Sequence, residues 1–174
     1  MYIIDNVIDK KDLENLYIRL IQSSAWTLDR TSNPRKQTSH HFPGLVVRTE
    51  QGVLNSYWDG YFVSVYERLN QLFQQKNKFS LPRNIFRIHL GAKTLNSETD
   101  FHLDEHFFGY SIVGFLTPKW NKKWGGELYV EDKKIDYVPG RFVVFKTDCR
   151  HNGEAPKETI PYWRISINYV GREE

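Results

Sequence analysis

Two histidines and one aspartate carry the side chains that a metal site would need. His102 and Asp104 stand two residues apart, and in an extended strand alternate side chains leave the same face, so both can reach one point. Imidazole plus carboxylate suits a divalent ion of intermediate hardness, and a second, distant imidazole would complete a facial triad with positions left open for substrate and oxygen. His151 is the candidate for that ligand; it follows an apolar run over 141–146, where a jelly-roll strand would return to the barrel mouth. With six histidines and ten aspartates in 174 residues, a His-x-Asp pair arises by chance about 0.3 times. The pair alone therefore reads as well as a strand-end histidine hydrogen-bonded to a nearby aspartate, and context has to decide.

Arg164 supplies part of that context. In the segment YWRISINY, Trp163, Ile165, Ile167 and Tyr169 alternate with Arg164, Ser166 and Asn168, which predicts a strand with one apolar and one polar face. A guanidinium and a hydroxyl on one strand face form a fork suited to a carboxylate, because Arg donates two parallel hydrogen bonds. An exposed polar face is the ordinary fate of such a stripe. What distinguishes this one is the order: His-x-Asp, a distal His, then Arg with Ser two residues on.

These residues need elements to hold them. Leu13, Leu16, Tyr17, Leu20 and Ile21 recur at helical spacing over about 9–23, with Asp9 as N-cap. A second helix is predicted over about 54–76, with Tyr61, Phe62, Val65, Leu69 and Phe73 along the side that packs on a sheet. Between them, Leu28 to Gly44 is polar, basic and broken by proline, and reads as a long loop. From Asn84 onwards short apolar runs alternate with turn residues. Strands are expected near 84–90, 99–104, 110–117, 127–131, 134–138, 141–146 and 162–170, with turns at 131–134 and at Pro139-Gly140. Helices first and strands afterwards imply one α+β domain over 1–174, helical to about residue 80, with a jelly-roll core over about 81–171.

With these motifs in order, the chain resembles the Fe(II)/2-oxoglutarate-dependent dioxygenases, in particular the prolyl 4-hydroxylase-like branch. FLTPKWNKKWGGELYV, Phe115 to Val130, is similar to that branch's Trp-Gly-Gly-Glu-Leu stretch, and VPGRFVVF, Val138 to Phe145, to the strand before its distal histidine. The resemblance spans about residues 84–170. It implies a double-stranded β-helix, iron held at His102, Asp104 and His151, and the 5-carboxylate of 2-oxoglutarate held by Arg164, with Ser166 beside it. It further implies O2 as oxidant, succinate and CO2 as products, and hydroxylation of a peptidyl proline, an amino acid or a small metabolite. Asp104 favours hydroxylation over halogenation, since related halogenases carry a small residue there. Two departures concern the co-substrate pocket. Ile88 stands where the family often has a tyrosine, and Phe115 lacks the usual hydroxyl, so Tyr110 is the candidate replacement donor. The stretch from Ala92 to Phe101 is also longer than the family's loop.

The other candidates carry two readings each. His40 and His41 would contact substrate from the basic loop, or simply be exposed; Trp120 and Trp124 would line a substrate entrance, or pack beside the Gly125-Gly126 turn. His106 reads as a supporting or surface residue and His89 as a satisfied core histidine. Lys119, Lys122 and Lys123 read as a solvated charge run.

Bulk composition bounds the rest. Aromatics make up 15% of the chain, which favours pleated, half-buried surfaces. A formal charge of +3 does not call for nucleic acid, and position 170 is Val170, where nucleic-acid dealkylases of the same superfamily carry a second arginine. A single cysteine, Cys149, excludes an internal disulfide and a Cys-rich zinc site. No basic, apolar leader opens the chain and no apolar run approaches the ~18 residues of a membrane span, so a cytoplasmic enzyme acting on a small molecule or peptide is expected. Its oligomeric state is left open. The competing class is a cupin-like metal-binding jelly roll acting as isomerase or ligand sensor, which would keep the triad and dispense with Arg164.

Overall fold

The protein is described by a computed structural model covering residues 1–30, 41–97, 99–104 and 108–172. His40, His106 and the middle of the expected loop, residues 31–40, lie outside the described residues.

The first helix forms where the apolar period and the cap agree. Following the short strand β1 (Tyr2–Ile4), α1 spans Lys10–Ile21 and is capped by Asp9, whose carboxylate accepts from the Asp12 N–H at 2.9 Å. It buries Leu13, Leu16, Tyr17 and Leu20. Strands β2 (Thr27–Arg30), β3 (Phe42–Thr49) and β4 (Gly52–Val53) come next. The second helix, α2 (Ser56–Lys76), is capped by Asn55 and buries Trp58, Phe62, Tyr66, Leu69 and Phe73. Tyr61 and Val65 are only half-buried, so the buried stripe is rotated from the predicted one towards Trp58 and Tyr66.

The remaining strands are β5 (Asn84–Lys93), β6 (Gly109–Phe115), β7 (Leu128–Val130), β8 (Lys133–Ile135), β9 (Phe142–Lys146), β10 (His151–Gly153) and β11 (Arg164–Arg172). Two antiparallel sheets result: a large one in the order β1-β9-β6-β11-β5-β3-β2, with β4 on β3, and a small one in the order β10-β7-β8. Strand alternation divides the interior in two. Ile88, Leu90, Ile112, Val144, Ile165, Ile167 and Tyr169 face the helices. Val113, Phe115, Val143 and Phe145 face the small sheet, where they meet Leu128, Val130, Ile135 and Tyr137. This is the α+β double-stranded β-helix with helices packed on the sheet that the sequence led us to expect.

Gly140 closes the turn after Pro139. Its φ is 75°, and a Cβ there would stand 2.8 Å from the Ile8 carbonyl oxygen.

Several expectations need correction. The 99–104 segment is not a strand: its backbone makes one isolated bridge, His102 to His151. Thr-Asp-Phe-His-Leu-Asp alternates like a strand, but Phe101 is 36% exposed and Leu103 only half-buried, so no core holds it flat. The expected loop is entered and left by strands, because Leu28 lies in β2 and Phe42, Pro43 and Gly44 open β3. Residues 1–80 are likewise not simply helical. They supply four strands to the large sheet, among them β1, which lies beside β9 and pairs Tyr2 with Val144, far along the chain.

Candidate metal centre

The isolated bridge draws two imidazoles together. His102 and His151 exchange both backbone hydrogen bonds at 3.0 Å, and their ring centroids lie 4.3 Å apart. Each ring then turns the same way. His102 Nδ1 sits 3.0 Å from the Asp100 carbonyl oxygen and His151 Nδ1 3.2 Å from that of Cys149. A carbonyl only accepts, so Nδ1 carries the proton in each ring and the lone pair resides on Nε2.

Asp104 completes the group. One ligand atom from each of His102, Asp104 and His151 lies within 4.8 Å of the other two, and His151 Nε2 is 3.5 Å from Asp104 Oδ2. Burial alone would raise the Asp104 pKa, but the neighbouring His151, Ser111 and His102 outweigh it and hold the carboxyl below its ordinary 3.8. Burial dominates at His151 and, despite the pull of Asp104, keeps the imidazole below 6.5. A neutral imidazole and a carboxylate thus oppose lone pairs at short range, an arrangement that a cation between them stabilises. Two nitrogens and one oxygen on one side of a point fit an octahedral first-row divalent ion with open positions. Asn168 supports the site, its Nδ2 donating to Asp104 Oδ1 and Oδ2 at 3.3 and 3.1 Å.

Further along β11 the interior holds a buried guanidinium. Arg164 is 1% exposed. Its Nε donates to the Gly126 carbonyl at 2.9 Å and its Nη1 to Ser166 Oγ at 3.3 Å, while the group stands over Tyr137 and Phe115 at 5.1 and 5.8 Å. Nη2 is buried and has no hydrogen-bond partner among the described residues. An uncompensated donor on a buried cation costs stability unless an anion meets it, so this atom fits the carboxylate of a ligand. Gly126 makes the approach possible: its φ is 74°, and a Cβ there would lie 2.7 Å from Trp120 and 3.2 Å from Arg164. Asn168 and Arg164 share one strand face four residues apart, about 13 Å, so the His-Asp-His group, reached through Asn168, and the guanidinium lie towards two ends of that face.

The predicted site residues sort clearly. His102, Asp104 and His151 converge, and Arg164 and Ser166 face the same interior. Tyr110 does not: it lies on the helix side of β6, stacked on Phe79 at 6.4 Å beneath the Lys146 ammonium at 4.0 Å, because residue 110 is out of phase with Ser111 and Val113. Ile88 also faces the helices. Trp120 and Trp124 pack on each other at 5.5 Å, and Trp120 on Tyr137 at 4.3 Å, with its indole N–H on the Gly125 carbonyl; they wall the Gly-Gly turn beneath Arg164. His41 is exposed, one residue before β3, and Lys122 pairs with Asp136 at 2.7 Å.

Sequence reasoning missed four residues. Asn168 and Ser111 approach Asp104. His89 and Lys93 stand opposite Asn168 and Arg164 in the β5–β11 register and so share their face. The signal was present in β5, where Ile88, Leu90 and Ala92 alternate with His89, Gly91 and Lys93.

No family model and no curated protein matches the chain in sequence, but solved structures match it in shape. A 2-oxoglutarate/Fe(II) oxygenase family oxidoreductase from Burkholderia pseudomallei superposes with a TM-score of 0.70 at 14% identity, covering 95% of this chain and 81% of that one. A prolyl-4-hydroxylase from Pseudomonas putida gives 0.66 at 15%, covering 99% and 92%. A prolyl hydroxylase from Trichoplax adhaerens, in complex with a peptide fragment of the hypoxia inducible factor oxygen degradation domain, gives 0.63 at 15%, covering 97% and 81%. The polypeptide that brings His102, Asp104, His151 and Arg164 together therefore has the fold of the prolyl-hydroxylase-like 2-oxoglutarate/Fe(II) oxygenases.

Proposed function

We propose that this protein is an Fe(II)- and 2-oxoglutarate-dependent dioxygenase that hydroxylates a peptidyl proline, an amino acid or a small metabolite. The observation that carries this reading is the pairing, within one interior, of a convergent His-Asp-His group with a buried guanidinium whose Nη2 has no partner among the described residues. Iron and 2-oxoglutarate, when bound, supply the oxidising chemistry: the co-substrate is decarboxylated to succinate and CO2 while one oxygen atom of O2 enters the substrate. His102, Asp104 and His151 hold the metal from one side, and their carbonyl and Asn168 partners fix the donor atoms before it arrives. Arg164 and Ser166 receive the distal carboxylate and set the reach of the co-substrate from the metal. Val113, Phe115, Tyr137 and Phe145 line the space between the sheets and keep water from the reacting end. Asp104 occupies the position that a halogenase would leave to chloride, which favours hydroxylation. The Trichoplax neighbour binds a peptide, and that supports a peptide among the candidate substrates.

The competing cupin-like isomerase or sensor has no role for a buried guanidinium whose Nη2 finds no hydrogen-bond acceptor among the described residues. Anaerobic addition of Fe(II) and 2-oxoglutarate separates the two. The expected outcome is a weak visible charge-transfer band that is lost in Arg164→Ala while Fe(II) still binds. Iron binding with no band in the wild-type protein would support the cupin reading instead.

A further inference from the structure

We propose that the Ser111 hydroxyl is a positioning group of the metal centre and donates to the Asp104 oxygen that the metal does not take. The assignment rests on the reading above and gives a role to a residue that no motif marks. Ser111 stands directly opposite Val170 of β11 on one side and Phe145 of β9 on the other, and residues so paired project to the same face. Neither neighbour can donate or accept through its side chain. Ser111 is fully buried, and its Oγ has no hydrogen-bond partner among the described residues. A buried hydroxyl left in that state costs stability. An alanine would spare the cost, so the packing of β6 gives no reason for the hydroxyl, and such local conflicts with the fold are typical of functional positions.

The polar group beside it is Asp104, whose carboxyl Ser111 helps to hold below its ordinary pKa. Asn168 does not distinguish the two oxygens of that carboxylate, because its one Nδ2 stands 3.3 Å from Oδ1 and 3.1 Å from Oδ2. A carboxylate held so evenly can offer a cation either oxygen or both, and both together would use up one of the positions that a facial triad leaves open. A second donor on one oxygen removes the symmetry. The other oxygen then completes a three-atom face with His102 and His151.

The test titrates the full chain with Co(II), whose visible ligand-field bands report occupancy without turnover or co-substrate. Ser111→Ala is expected to weaken Co(II) about tenfold or more, as loss of a group that supports a metal ligand does. The urea midpoint of the same variant, measured without metal, should equal that of the wild type or exceed it. Ser111→Thr and Ser111→Val share one shape and differ in the hydroxyl, so the pair separates hydrogen bonding from added bulk; Thr should bind Co(II) about tenfold more tightly than Val. Wild-type Co(II) affinity in Ser111→Ala would overturn the proposal, as would equal affinities in Thr and Val. A lowered midpoint or loss of folding in Ser111→Ala would also overturn it, by making the hydroxyl a structural group of β6. Failure of the wild-type protein to take up Co(II) would overturn the metal-centre reading itself, and this assignment with it.

Discussion

His102 and His151 direct Nδ1 to a backbone carbonyl two residues earlier in the chain, and this shared local geometry leaves both Nε2 atoms as donors to one point. Asp104 is held differently, both of its carboxylate oxygens accepting from the Asn168 amide. A supporting residue of this kind is typically worth about 10–100-fold in metal affinity. Asn168→Ala should therefore lower Fe(II) affinity by that factor in an anaerobic titration, with the far-ultraviolet circular dichroism spectrum unchanged; undiminished affinity would remove Asn168 from the site. The convergent cluster of His102, Asp104 and His151, and Arg164, were legible in the sequence as candidates because their order is characteristic. Asn168, Ser111 and Lys93 were not, because a polar residue on a strand reads the same whether it faces solvent or a pocket. Tyr110 was assigned by chemical type alone, and the strand period would have excluded it, since it is out of phase with the pocket-facing Ser111.

At the scale of elements, β11 is the backbone of the site. It carries Arg164, Ser166 and Asn168 inward while Ile165, Ile167 and Tyr169 pack beneath the helices, and it lies between β5 and β6, which supply Lys93, His89 and Ser111. Tyr137 ties the small sheet's hairpin to this strand, accepting from the Thr117 N–H at 2.9 Å and donating to the Ile165 carbonyl at 2.7 Å. The packing leaves little slack next door, where Gly114 of β6 pairs with Phe142 of β9 and a Cβ at 114 would lie 2.4 Å from the phenyl ring. Overpacking of this sort costs about 1–3 kcal/mol. Gly114→Ala should lower the urea midpoint accordingly, and adding Phe142→Leu should recover part of the loss; an unaltered midpoint would show that the ring can move aside. Both helices and, from β5 onwards, every strand but β10 were readable from apolar period and turn residues. The strands β1, β4 and β10 were not, being two or three residues long and held by pairing rather than by a pattern of their own. In β3 the opening Phe42-Pro43-Gly44 concealed a strand, since proline and glycine usually mark a break.

The whole molecule assembles the site from segments far apart in the chain. Residues 102 and 104 precede β6, His151 opens β10 in the small sheet, and Arg164 to Asn168 lie in the large one, so the site as a whole spans the two sheets and the triad forms at the bridge between His102 and His151. The helices brace the large sheet from outside: Tyr169 donates to the Phe62 carbonyl of α2 at 2.9 Å, and Tyr17 of α1 accepts from the Trp163 N–H at 2.9 Å. Among the described residues no helix is long and apolar enough to cross a membrane. A ligand that binds only this assembled state stabilises the entire fold, which makes metal binding the most direct probe of the account. Metal-free protein titrated anaerobically with Fe(II) should bind one ion per chain. His102→Ala, Asp104→Ala and His151→Ala should each weaken that binding by more than the ~100-fold upper range of a supporting residue. Wild-type affinity retained in any one of the three folded variants would contradict it.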